Sequence, residues 1–350
     1  MINLKAMALF KTDSNLIGLD IGSSGIRLVQ VRKSSTGSQL VTYGWVPMEA
    51  KVMASDSQVD RQSVVEAIKK LVSESRVTTR SVVSGLPSAK VFSALISLPK
   101  MAPTELEKGI RYQAEQHVPM ALDKVKLDWM LAGESADGKQ QEVLIVAVPI
   151  GLSERTLGTL EAAGLEVSAL EPDAIALARA LVKPQESGAV TVLDVGETAT
   201  DLVTVTGQSP KMIRSIPVGG NNFVKAAAQG LNLEPDQAYQ FVYKFGLAQK
   251  MESQVRKAIK SSVDTLMSEI DKSTKFFEGH YKGTKIAKII LTGRAGMMPE
   301  FPAHLANSVG LPVEIGDAWA KISSRSGISG QLAELSNQFA VACGLALRER

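Results

Sequence analysis

The spacing of apolar residues changes several times along the chain, and each change marks an element. Residues 15–32 alternate as two short apolar strands around a small, hydroxylated turn, and Gln39 to Pro47 reads as a third strand. Between Ser63 and Ser75 the period lengthens, with Val64, Val65, Ile68, Leu71 and Val72 spaced as on an amphipathic helix. Arg80 to Gly85 is a short apolar strand again. The first hairpin then recurs: Leu19-Asp-Ile-Gly-Ser-Ser-Gly-Ile-Arg-Leu-Val-Gln-Val31 lies without a gap over Leu193-Asp-Val-Gly-Glu-Thr-Ala-Thr-Asp-Leu-Val-Thr-Val205. Asp20 falls on Asp194, Gly22 on Gly196 and Ser24 on Thr198, which predicts two related half-molecules.

Between the copies lies a segment of different rhythm. Lys90 to Leu98 reads as a strand, Pro103 opens a helix with Leu106, Ile110 and Ala114 on one face, and Pro119 ends it. Val125 to Leu131 and Glu142 to Val148 are two more strands, and Ser153 to Ala163 is a helix stopped by Gly164. These predict a compact α/β insertion over residues 88–165. After it, Pro172 opens a helix to about Leu181. The second hairpin leads to a strand at Lys211 to Val218, then to Gly219-Gly220-Asn221-Asn222 at the head of a helix. Helices near Glu234 to Phe245 and Glu252 to Phe277, a strand at Lys288 to Leu291 and a final helix from Leu332 to Leu347 complete the pattern. The last helix carries Ala340, Ala342, Gly344 and Ala346, small enough for close backbone approach.

At 350 residues and 45% hydrophobic, the chain can bury a large core. Lys and Arg number 39 against 36 acids, so no basic surplus points to nucleic acid. The single cysteine, Cys343, lies in an apolar run, which excludes a disulfide scaffold and a thiolate zinc site. His117, His280 and His304 are scattered and suggest no metal cluster. No apolar stretch approaches the roughly 20 residues of a membrane-spanning helix, and the start lacks signal-peptide order, so the expectation is a cytoplasmic protein.

The chemistry sits in the two turns. A turn of Gly and Ser lets backbone N–H groups converge on phosphate oxygens, and an Asp ending the preceding strand suits a hydrated divalent cation beside them. Two such turns predict one nucleotide held between two lobes.

These residues carry a resemblance to the actin/Hsp70/hexokinase superfamily, and within it to the FtsA-related actin-like proteins. Asp20-x-Gly22-Ser23-Ser24-x-x-Arg27 resembles the first phosphate loop, Asp194-x-Gly196-x-Thr198 the second and Leu291-Thr292-Gly293 the adenosine loop. Glu171-Pro172-Asp173-Ala174 resembles the first connecting helix and Ala340 to Leu347 the second. The place and size of the insertion, Leu9-Phe10 ahead of the first loop and the helix end Tyr112-Gln-Ala-Glu-Gln-His-Val-Pro119 are similar to the PilM family, the actin-like component of type IV pilus assembly.

The resemblance implies a duplicated actin-like, ribonuclease H-like α/β fold of two lobes with an inserted FtsA-type subdomain. Residues 1–14 would form a flexible arm, 15–87, 166–187 and 331–350 the first lobe, 88–165 the insertion and 188–330 the second lobe. It implies ATP and Mg2+ between the lobes. Asp20 and Asp194 would hold the metal through water, Gly22, Ser23, Ser24, Arg27, Gly196 and Thr198 the phosphates, and Gly219, Gly220, Asn221, Gly293 and Arg294 the nucleoside side, with Lys272 and Lys275 at the ribose or base edge. Glu171 would orient an attacking water or cap its own helix. The implied role is a scaffold that grips the cytoplasmic N-terminal peptide of a PilN-like inner-membrane protein in a groove bordered by the insertion. Membrane attachment would come through that partner, alongside other pilus components and a homo-oligomer.

Two residues depart from the family pattern. Glu197 replaces a small residue near the terminal phosphate and Arg294 replaces a glycine under adenine, which predicts binding with at most slow hydrolysis. The alternatives are a polymerising FtsA-type protein, and a small-molecule kinase on the same fold. FtsA ends in an amphipathic membrane helix whereas this sequence stops at Leu347-Arg-Glu-Arg350, and no spare catalytic Asp marks an acceptor loop for a kinase.

Overall fold

The computed structural model describes residues 15–35, 37–55, 57–135, 138–248, 253–324 and 330–349. β1 (Asn15–Gly22) and β2 (Gly25–Ser34) form the first hairpin, and β3 (Gly37–Pro47) pairs antiparallel with β2. A short helix α1 (Ala50–Ala54) precedes α2 (Gln58–Glu74), which Ser57 caps by accepting the Asp60 N–H. The five apolar residues that defined the helical period, Val64 to Val72, are all buried on β1 and β2. β4 (Ser81–Leu86) runs parallel to β1.

The insertion follows as β5 (Phe92–Pro99), α3 (Pro103–His117), β6 (Val125–Glu134) and β7 (Gln140–Pro149), a three-stranded antiparallel sheet in the order β5-β7-β6. Alternation along β7 gives it two apolar faces. Val143, Ile145 and Ala147 bury against Leu106, Ile110 and Ala114 of α3, while Leu144 and Val146 turn the other way. α4 (Ile150–Ala162) ends at Gly164, whose φ of +79° suits the left-handed stop. The chain then re-enters the first sheet as β8 (Glu166–Pro172), parallel to β4.

After α5 (Asp173–Leu181), the second hairpin is β9 (Ala189–Val195) and β10 (Thr200–Thr206), extended by β11 (Ser209–Ile216). Helices α6 (Gly220–Leu231), α7 (Pro235–Phe245) and α8 (Ser253–His280) lead to β12 (Ile286–Thr292), α9 (Phe301–Val309) and β13 (Val313–Ile315). The second sheet has the order β11-β10-β9-β12-β13, strand for strand that of β3-β2-β1-β4-β8 in the first. The hairpin repeat is therefore a repeat of whole lobes.

β14 (Ile322–Ser323) then pairs with β3, and α10 (Gly330–Glu334) and α11 (Ser336–Ala346) close the chain. α5 and α11 share one core between the two sheets, with Leu16, Val29, Val31 and Val83 from one and Val190, Val192, Val203 and Val205 from the other. Gly344 makes the crossing possible: a Cβ there would collide with the Ala176 backbone. Buried Cys343 belongs to this core.

Several details differ from the sequence expectations. β14 belongs to the first sheet, so the chain leaves the second lobe before residue 330. The terminal helix is broken at Leu335, because Ser336 accepts the Ala318 N–H and the indole N–H of Trp319 donates to the Leu332 carbonyl. β8, α9 and β13 are additional elements. The expected arm at 1–14, with Leu9-Phe10, lies outside the described residues. No described helix is long and apolar enough to cross a membrane.

Candidate functional site

The two equivalent turns end β1 and β9, and both aspartates lie at the contact between lobes. Asp20 is buried, and Arg27, its register partner on β2, reaches back to it at 3.5 Å. The same guanidinium donates to Ser24 Oγ at 3.0 Å, so Arg27 braces the first turn from inside. Gly22 lies against both, 3.2 Å from an Arg27 nitrogen and 3.3 Å from an Asp20 oxygen at the position a Cβ would take. Desolvation raises the Asp20 pKa against the opposing effect of Arg27.

Asp194 has no such cation across from it. Its register partner on β10 is Asp201. Desolvation, then Asp201 and Asp20, push Asp194 up to about 7. Gly293, at the end of β12, packs directly on the Asp194 carboxylate, and its N–H donates to the Asn337 carbonyl of α11. Asp173, the first residue of α5, lies against Gly85 and is raised well above its ordinary range by desolvation and then by Asp20, Asp201 and Asp194. Its buried Oδ1 has no hydrogen-bond partner among the described residues. Four carboxylates from both lobes thus crowd one place. An orphaned, desolvated carboxylate oxygen among them fits a divalent cation. No three His, Cys, Asp or Glu side chains among the described residues are arranged to hold a metal ion directly.

The far side of the second turn is built differently. The Gly196 N–H closes the turn on the Ala199 carbonyl, Thr198 is exposed, and the N–H groups of Gly220 and Asn221 donate to the Gly196 and Glu197 carbonyls at 2.9 and 2.8 Å. The amides at the start of α6 therefore hold the turn itself. Gly219 lies under the same turn. Glu197 is buried above Gly220, and the Tyr243 hydroxyl donates to its two carboxylate oxygens at 3.0 and 2.9 Å. Desolvation raises the Glu197 pKa, partly offset by Tyr243 and Arg294. Arg294 stands over the rings of Tyr239 and Tyr243, 5.2 and 5.1 Å from their centroids.

Asp20, Gly22, Ser24, Arg27, Asp194, Gly196 and Gly293 thus come together around the carboxylates, and Gly219, Gly220, Asn221 and Arg294 around Glu197. Three candidates stand elsewhere. Glu171 does not cap α5, whose first residue is Asp173; its charge adds a minor part to the repulsion on Asp173, and its carboxylate is clasped by Arg179 at 2.6 Å and by Arg348. Its negative charge is already spent on two arginines. Lys272 and Lys275 pair along the exposed face of α8 with Glu269 and Asp271, each at 2.6 Å.

Asp173, Asp201, Tyr239 and Tyr243 stand in the same two clusters and are further candidates that the sequence reading does not single out. Asp201 did carry a signal, as the lone acid in the apolar run of β10 opposite a site aspartate. Asp173 lies two residues after Glu171 in the same Glu-Pro-Asp-Ala motif.

Comparison with known proteins agrees with this architecture. The solved structure "PilM-PilN type IV pilus biogenesis complex" superposes with a TM-score of 0.81 at 26% identity, covering 95% of this chain and 98% of that one. Ethanolamine utilization protein EutJ from Carboxydothermus hydrogenoformans gives 0.56 at 13% identity, covering 95% and 88%. MreB5 of Spiroplasma citri bound to ADP gives 0.56 at 11%, covering 94% of each chain. At that identity the last two establish the shared actin-like fold. The family profile described as Type IV pilus assembly protein PilM matches residues 18–350, and the chain belongs to that family.

Proposed function

We propose that this protein is a nucleotide-responsive adaptor of type IV pilus assembly, which binds Mg2+ and ATP between its lobes and the cytoplasmic N-terminal peptide of a PilN-like inner-membrane protein beside its insertion. The observation that carries the reading is near-complete superposition, insertion included, on a protein solved in complex with PilN. Such a peptide would bring the adaptor to the inner membrane, next to other pilus components.

In this reading Asp20 and Asp194 hold the hydrated metal from the two lobes, with Asp173 and Asp201 behind them. Bound Mg2+ would supply the positive charge that lets polyphosphate approach so many carboxylates. Ser23, Ser24 and Thr198 line the two turns that flank it. A ligand that touches both turns favours one arrangement of the lobes to the extent that it binds that arrangement better, and so can bias the insertion.

Calorimetry of the full chain with the N-terminal peptide of a PilN-like protein, with and without Mg·ATP, tests the reading. Binding that changes with nucleotide supports it. Absence of peptide binding under both conditions overturns it.

A further inference from the structure

We propose that Glu197 is a resident anion, which closes the second-lobe side of the cleft until a phosphate group of the nucleotide takes its place. The inference rests on the nucleotide reading above and adds a specific residue that controls entry.

Three features make an anion site around the Glu197 carboxylate. The first is the Tyr243 hydroxyl, which donates to both carboxylate oxygens. The second is Arg294, whose charge lies near enough to favour the Glu197 anion and which is kept over the two tyrosine rings. The third is a glycine floor: a Cβ on Gly220 would lie 2.5 Å from the Tyr243 hydroxyl and 2.6 Å from Glu197 Oε2, so any larger residue would expel the carboxylate. A hydroxyl donor, a guanidinium and an open backbone are also what a phosphate oxygen needs. Here the protein's own side chain uses them.

The start of α6 is not itself a phosphate cradle. Its leading N–H groups are committed to the Gly196 and Glu197 carbonyls, so the side-chain donors are what a ligand can compete for. A polyphosphate that left Glu197 in place would bring more negative charge to the crowded Asp20, Asp173, Asp194 and Asp201, while Arg27 is engaged with Asp20. On exchange, the Glu197 carboxylate swings to water, while Tyr243 and Arg294 pass to the phosphate. The closed state lowers the apparent affinity by the fraction of molecules that are open.

The test is a titration of full-length protein with the fluorescent probe mant-ATP and Mg2+, read by anisotropy, in the wild type and in Glu197→Ala, Glu197→Gln and Asp194→Asn. Removing the resident anion is expected to tighten binding about tenfold. Glu197→Gln, which keeps the side chain and its contact with the Tyr243 hydroxyl and deletes only the charge, is expected to change affinity in the same direction by a smaller factor, and it keeps the proposal testable should Glu197→Ala fold poorly. Asp194→Asn is expected to weaken binding.

If Glu197→Ala binds equally or more weakly while Asp194→Asn still loses affinity, the resident-anion proposal is overturned and the nucleotide reading stands. If neither wild type nor Glu197→Ala binds the probe, both fall together.

Discussion

Asp201 stands directly across the β9–β10 pair from Asp194, at the register position where the first hairpin sets Arg27 across from Asp20. Directly opposed residues share one face of a sheet, so the first hairpin closes on an ion pair and the second on carboxylate repulsion. The lobes repeat in topology while their charge chemistry has diverged.

That divergence has a pH signature. Asp194 titrates near 7 in the folded chain, against an ordinary 3.8. Between those values the folded state keeps a proton that the unfolded chain has released. Stability from this group is complete below the lower value, falls as pH rises toward 7, and is level above it. Asp194→Asn should therefore raise both the melting temperature and the stability at pH 7.5, the latter by on the order of 2 kcal/mol for a partly exposed group, and have little effect at pH 4. Thermal melts across that range check it; a variant that melts lower than wild type at pH 7.5 would contradict the repulsion argument.

Glu171 offers the contrast of a buried acid that is fully compensated. It joins the end of β8 to Arg179 on α5 and to Arg348 just beyond α11, holding the two crossing helices together at one end. Glu171→Gln leaves both arginines without their anion and should cost roughly 2 kcal/mol in urea denaturation, since the arginines are about a quarter exposed. Affinity for Mg·mant-ATP should stay close to wild type. A variant of unchanged stability with lost nucleotide affinity would return Glu171 to the site.

Gly344 tests the crossing itself. Its Cα faces the Ala176 backbone, and a methyl group there has no space to enter because neither helix backbone can give way as a side chain would. Gly344→Ala should separate α5 from α11 and cost about 3 kcal/mol or more, despite the better helix propensity of alanine. Denaturant midpoints compared with those of Gly279→Ala, an open position on α8, would show whether the penalty comes from the crossing.

Much of this was legible in the sequence because backbone geometry writes a local code. The repeated Asp-x-Gly turns are specified within a few residues, and α2 and α3 by the period of their apolar faces. What escaped depended on distant partners. Short β8, β13 and β14 are defined by the strands they pair with, and α9 buries only Phe301 and Leu305 as helix-face anchors. The same holds at the site: Glu171 and Asp173 both end an apolar segment, and only the positions of Arg179 and Arg348 decide which carboxylate faces the other lobe.

A buried ion pair ties the insertion to the second lobe. Glu142 on β7 meets Lys211 on β11, and the Lys211 ammonium also donates to the Ala132 carbonyl of β6. Leu144 and Val146 pack beside this pair with Ile213, so the insertion touches the second lobe through an apolar patch with one charged latch. Removing one partner strands the other charge in a low-dielectric site, whereas replacing both with apolar residues does not. Lys211→Met should therefore loosen the insertion, with amide hydrogen exchange in β5, β6 and β7 accelerating by about tenfold or more. The double variant Glu142→Leu with Lys211→Met should recover most of the protection. If the single variant exchanges like wild type, the latch carries no coupling; if the double variant is as loose as the single, packing rather than stranded charge explains the loss.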